Sequence, residues 1–259
     1  MSLFDRALAE NRPALVGYLP AGFPTVAGGI DAVRVMIDAG VDLVEVGLPY
    51  SDPVMDGPVI QRATERALAS GVRTKDVLAT VEAASGRGVP VVVMTYWNPV
   101  DRYGVQAFAR DLAAAGGAGL ITPDLIPDEA DDWLAASDEH KLDRIFLVSP
   151  SSTDERIAMT VAHCRGFVYA TAVMGVTGAR DAVSDAAPAL VQRVKATGSS
   201  VPVGVGLGVR DAAQAAQVGA YADGVIVGSA LVQAVADDPS LETLRALVTD
   251  LAGGVRRAR

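Results

Sequence analysis

The chain has 259 residues, half of them hydrophobic and only 5 % aromatic, with a formal net charge of −9. That length fits one large domain or two small ones, and the acidity argues against nucleic acid or an anionic membrane as partner. A single cysteine, Cys164, excludes an internal disulfide, and His140 and His163 stand in no metal-like spacing, so no metal site is expected. The start, MSLFDRALAENRPA, carries Asp and Glu and no long apolar run, and reads as a mature cytoplasmic start. Residues 2–10 suit a short amphipathic helix capped by Ser2, with Leu3, Phe4 and Leu8 along one side. Such a helix would plug the bottom of a barrel. Eight strand-like runs follow, at 14–18, 43–47, 91–95, 119–122, 144–148, 167–171, 203–206 and 224–227. Helical patterns lie at 26–39, 58–70 with 74–85, 105–115, 128–139, 154–163, 187–196, 211–218 and 229–236, and a last helix at 241–251 precedes a basic tail at 256–259. No apolar segment reaches membrane-spanning length without interruption. Strands alternating with helices predict a parallel α/β sheet. Eight units predict its closure into a (β/α)8 TIM barrel with an added N-terminal helix, and no linker or charge block divides residues 1–259 into more than one domain.

In such a barrel the loops after the strands make the active face. Two are long. One, residues 48–57, follows the second strand. The other, residues 174–186, follows the sixth and reads MGVTGARDAVSDA. Its length and its Gly, Ser and Asp content fit either a mobile lid or a plain surface loop. The loops after strands seven and eight are the usual phosphate site of barrels. Here they hold Gly204, Gly206 and Gly208, then Gly228 and Ser229 opening a helix. Glycines let backbone approach an anion closely, and a helix N-terminus offers free N–H groups without any Lys or Arg.

The most informative stretch is residues 41–58, VDLVEVGLPYSDPVMDGP. Its apolar first half reads as a strand buried on both faces, and its Pro and Gly positions make the second half a loop. Glu45 interrupts the apolar run. A carboxylate there is costly unless paired, solvated or protonated. Asp56 follows in the loop, able to fold back over the same pocket. Two carboxylates in different surroundings divide acid and base work. Alternatively, Glu45 partners a distant cation and Asp-Gly is only a turn.

LPYSDPVMDGPVIQ resembles the signature of the tryptophan synthase alpha subunit family, and the match is long and gapless. Further anchors stand at 18–24, 45–61, 96–98, 175–178 and 228–229, so the resemblance covers nearly the whole chain. It implies aldol cleavage of indole-3-glycerol phosphate to indole and glyceraldehyde 3-phosphate. Glu45 would be the general acid–base and Asp56 the second catalytic acid, with Tyr169 in support beside the reacting carbon. Gly178, Gly206, Gly228 and Ser229 would hold the phosphate, and Thr177 in the lid would bond the catalytic aspartate. Tyr18, Ile60 and Met94 would line the indole pocket, with weaker claims for Leu120, Val173 and Ile226. Each is by default a core residue. Three positions depart from the family pattern. Val205 stands where an aromatic residue is common, which suggests a roomier indole pocket. Ala172 and Val173 replace a Ser and an Arg near the lid's hinge.

The resemblance also implies a partner, a beta subunit in an alpha2beta2 heterotetramer, to which indole passes. Pyridoxal phosphate is expected in that subunit and no cofactor in this one. Residues 48–57 and the loop TYWNPVDRY, 95–103, are the expected docking surface, with Asn98-Pro99 fixing a turn. A free-standing lyase and a non-catalytic regulatory subunit are the alternatives. Intact Glu45 and Asp56 speak against the second.

Overall fold

Short runs of Val, Leu, Ile and Gly form strands buried on both faces, and amphipathic helices cover them. The computed structural model describes residues 3–171, 186–206 and 208–258. Its strands are β1 (Ala14–Pro20), β2 (Leu43–Gly47), β3 (Val91–Met94), β4 (Gly119–Ile121), β5 (Asp143–Ile145), β6 (Leu147–Val148), β7 (Val168–Thr171), β8 (Val203–Gly206) and β9 (Gly224–Val227). Its helices are α1 (Asp5–Ala9), α2 (Val26–Ala39), α3 (Pro58–Ala69), α4 (Thr74–Ala84), α5 (Trp97–Tyr103), α6 (Val105–Ala114), α7 (Asp131–Glu139), α8 (Asp154–His163), α9 (Ala186–Lys195), α10 (Ala212–Gly219), α11 (Ser229–Asp237) and α12 (Glu242–Arg256). Local chemistry sets several starts. The side chains of Thr25, Thr153 and Asp211 accept from backbone N–H groups in the first turns of α2, α8 and α10.

All the strand pairs are parallel, in the order β5-β4-β3-β2-β1-β9-β8-β7-β6. The fifth run, expected as one strand, is split at Phe146. Asp143–Ile145 pairs with β4, whereas Leu147–Val148 pairs with β7, and the Phe146 carbonyl accepts from the Tyr169 N–H at 3.1 Å. The change of partner breaks the strand and closes the ring. The architecture is the expected TIM barrel.

Two apolar clusters follow from the alternation of side chains. Phe4, Val16, Leu43, Val92, Ile121, Ile145, Phe167 and Ile226 fill the barrel. A larger cluster lies mainly between strands and helices. Phe4, which precedes α1, is 1 % exposed and stacks on Phe167 with ring centroids 4.8 Å apart, so the N-terminal segment does plug the barrel floor. On the same face Arg12 donates to both Asp42 oxygens, at 2.7 and 2.8 Å, and Asp42 also accepts from the Leu15 N–H. This buried pair ties the starts of β1 and β2 and leaves the opposite face free for chemistry.

Two expectations need correction. The segment after β3 is helix α5, not a loop, because Pro99 falls in its first turn, where a missing N–H costs nothing. The Asp124 carboxylate accepts from the free N–H of Trp97. Helix α12 continues through Gly253 and Gly254 into the basic tail, because Leu244, Val248, Leu251, Ala252 and Val255 form a buried stripe that outweighs the low propensity of glycine.

Candidate active site

The barrel interior at the carboxyl ends of the strands holds the carboxylate that the sequence singled out. Glu45 faces inward two residues after Leu43 and stands opposite Tyr18 in the β1–β2 register. It is 1 % exposed, and its Oε2 has no hydrogen-bond partner among the described residues. No cation pairs with it among them either. Burial pushes the Glu45 carboxyl up to about 8, and the nearby charge of Asp56 pushes the same way. It therefore holds a proton at neutral pH.

Asp56 lies in the loop between β2 and α3. Burial raises its carboxyl as well, but a hydrogen bond from the Tyr96 hydroxyl at 3.4 Å opposes the rise. The Gln61 amide, one turn into α3, donates to the Asp56 carbonyl at 2.8 Å. The two acids thus sit in unlike surroundings, one buried with an oxygen that has no partner among the described residues, the other partly open and hydrogen-bonded. That is the condition for one to act as proton carrier while the other stays ionised.

Two tyrosines close the sides. A Cβ at Gly47 would overlap the Tyr18 ring, and one at Gly206 would overlap the Tyr169 ring. Only bare backbone at those two strand ends lets the phenols lean across the mouth. Burial holds both hydroxyls well above their usual pKa, and both carboxylates raise them further. Tyr18 and Tyr169 are therefore neutral donors in the field of Glu45 and Asp56.

Of the other sequence candidates, Met94 is opposite Gly47 in the β2–β3 register and packs against the interior cluster. Ile60 is buried, and the space beside Gly228 is bounded by the side chains of Tyr18 and Ile60. Gly228 caps α11 and Ser229, buried, is its first residue, so the helix's unpaired first-turn N–H groups open beside that pocket. Ile226 faces inward, whereas Leu120 joins the cluster under the helices and drops out of the pocket. Thr177, Gly178, Ala172 and Val173, with the loop 174–185, lie outside the described residues. Val205 does not widen the pocket at its level. It is fully buried on the helix side of β8, while Gly204 and Gly206 face the rings of Phe167 and Tyr169.

A profile of the family described as Tryptophan synthase alpha chain matches residues 4–254. The chain belongs to the tryptophan synthase alpha chain family. It is 68 % identical over 255 residues to the tryptophan synthase alpha chain of Mycobacterium marinum, covering 98 % of this chain and 94 % of that one. A structure of Mycobacterium tuberculosis tryptophan synthase superposes with a TM-score of 0.93 at 65 % identity, covering 98 % of this chain and 96 % of the other. The tryptophan synthase subunit alpha of Legionella pneumophila gives 0.85 at 35 % identity, with 98 % of each chain covered.

Within this tryptophan synthase alpha fold, sequence reasoning passed over Tyr96 and Asp124. Tyr96 lies in the segment 95–103 expected to dock a partner, yet it is buried and bonded to Asp56. Asp124 fixes the start of α5 through the Trp97 N–H. The signal for both was position, since each follows closely on the end of a barrel strand, on the face where sites form. No group of three or more His, Cys, Asp or Glu that could hold a metal ion occurs among the described residues.

Proposed function

We propose that this chain cleaves indole-3-glycerol phosphate to indole and glyceraldehyde 3-phosphate, with Glu45 and Asp56 as the reacting acids. The observation that carries the reading is the buried Glu45, whose Oε2 has no hydrogen-bond partner among the described residues, beside an Asp56 bonded to Tyr96. Breaking the bond to the ring requires a proton on ring C3 and loss of a proton from the adjacent side-chain hydroxyl. Glu45, protonated near neutral pH, gives the first proton and takes the second, ending as it began. As C3 is protonated, positive charge develops near the ring nitrogen. Asp56, whose ionised form the Tyr96 hydrogen bond favours, stabilises that charge through the ring N–H. Tyr169 supports the reacting carbon.

The phosphate is held by backbone at Gly206, Gly228 and Ser229, joined by Gly178 of the lid. The indole ring lies against Tyr18, Ile60 and Met94, and Thr177 bonds Asp56 when the lid closes. The chain docks on a beta subunit, in an alpha2beta2 assembly, and passes indole to it. Pyridoxal phosphate belongs to that subunit. The two expected docking segments already meet, because the Tyr50 and Tyr96 rings lie 5.3 Å apart and the Asn98 amide donates to the Tyr50 hydroxyl. Val54 and Ile126, 73 % and 43 % exposed, add apolar surface. No helix among the described residues is long and apolar enough to cross a membrane, and a cytoplasmic enzyme of one domain fits the reading.

The test is indole release by the purified chain from indole-3-glycerol phosphate, with and without a beta subunit, for wild type, Glu45→Gln and Asp56→Asn. Turnover that rises with the partner and collapses in both folded variants supports the reading. An inert wild type, even with its partner, refutes it.

A further inference from the structure

We infer that Tyr96 is a positioning residue for Asp56. Its hydroxyl and ring hold the loop after β2 in the placement that presents the Asp56 carboxylate to the site opposite Glu45. The inference rests on the reading of Asp56 as a reacting acid.

Tyr96 follows β3 and is 6 % exposed. Its Oη accepts from the Met55 N–H at 3.0 Å and donates to Asp56 Oδ1 at 3.4 Å. One hydroxyl therefore uses its donor and an acceptor lone pair on consecutive residues, gripping the backbone through one and the carboxylate through the other. Among the described residues no other hydrogen bond reaches that carboxylate.

The support behind Tyr96 is rigid. The Thr95 hydroxyl donates to its carbonyl at 2.9 Å, and the next N–H, of Trp97, is held by Asp124. Its ring is tilted by 36° against Tyr50, whose hydroxyl accepts from Asn98 at 3.0 Å. The loop itself has little else to fix it, since Ser51, Asp52 and Val54 are exposed. Gln61 anchors only the Asp56 carbonyl. The loop thus hangs between α3 and the β3–α5 corner, and the Tyr96 hydroxyl is the contact that orients the carboxylate. The other ionisable groups facing Asp56 are Glu45 on β2, Tyr18 on β1 and Tyr169 on β7.

The test is Tyr96→Phe in the full chain, which keeps the ring and the stack. With indole-3-glycerol phosphate and the beta subunit present, kcat should fall about tenfold, since a hydrogen bond to a charged group is lost. KM should change less, by at most about twofold. The acid limb of the pH profile should move up by about half a pH unit, because the bond favours ionised Asp56. In an Asp56→Asn background the same change should cost at most about twofold more. An unmoved acid limb, or an undiminished loss in that background, overturns the inference. Carbon-13 NMR of the ligand-free chain reads the same contact without turnover. Asp56 should titrate higher in Tyr96→Phe, and in wild type the Tyr96 Cζ resonance should follow the Asp56 titration. A Tyr96 signal blind to Asp56 overturns the inference without any variant. That result is also distinct from an inert wild type, which would refute the proposed reaction instead.

Discussion

Replacing Glu45 by Gln separates the electrostatics of the site from its turnover. Folding carries the Glu45 carboxyl from 4.5 to about 8, chiefly by burial and secondly through Asp56. Between those values the folded chain holds a proton that the unfolded chain has released. The sign follows: stability is unaffected below the unfolded pKa and declines as pH rises, until the folded group ionises as well. The slope is about 1.4 kcal/mol per pH unit, so the destabilisation reaches roughly 3 kcal/mol at pH 7 and levels off near 5 kcal/mol above pH 8.

Glutamine has nearly the same shape and no charge at any pH, so the variant escapes this decline. Urea unfolding of wild type and Glu45→Gln, at intervals between about pH 5 and pH 8.5, should show the variant gaining on wild type by roughly 4 kcal/mol across the range. Any fixed offset from an imperfectly satisfied amide cancels, because the reasoning rests on the slope. The same variant should lose about 10²–10⁴-fold in turnover. A stability difference that stays constant with pH would refute the assignment of a buried, proton-holding Glu45, whatever the activity did.

Asp56→Asn should lower kcat by about 10²–10³ with little change in unfolding free energy, because the role proposed for it is transition-state charge stabilisation from a loop. Single-turnover kinetics beside a urea titration checks both halves. At the barrel floor, Asp42→Ala should cost about 1–3 kcal/mol, since it leaves the Leu15 N–H unpaired and the buried Arg12 guanidinium held only by Glu10 and the Pro13 carbonyl. Thermal unfolding measures that loss, and catalysis by the folded fraction should be unchanged. Phe4→Ala should cost about 3–5 kcal/mol by emptying the space against Phe167, again without altering KM.

How legible these features were depended on whether a residue's reason lay nearby. The eightfold alternation could be read because a strand buried on both faces is a continuous apolar run, and Glu45 could be read because it interrupts one. Phe4 stood out in a short amphipathic segment and does fill the barrel floor. Helix α5 is hidden in the sequence because Asn98-Pro99 looks like a turn, and the carboxylate that caps it lies 27 residues away. The break at Phe146 has no local signal. It reflects a change of strand partner that exists only once the ring closes. Val205 stands at a pocket position in the motif, whereas the pleat turns it toward the helices.

The unlike footing of the two acids bears on control. Glu45 sits on a strand, and its protonation is set mainly by burial inside the barrel. Asp56 sits on a loop, and its ionisation is set in part by one hydroxyl from a neighbouring corner. An event at the outer face that shifts Tyr50, Asn98 or Tyr96 would therefore change Asp56 directly and reach Glu45 only through the charge of Asp56. Tyr50 and Asn98 lie in the segments proposed to meet the beta subunit, so docking that moved them would reach the reaction through Tyr96 and the orientation of one carboxylate. A ligand or partner shifts such an equilibrium only by its differential affinity for the two loop states. Partner stimulation of cleavage should accordingly shrink when Tyr96 loses its hydroxyl, and should persist when Tyr50 loses its own while keeping its ring.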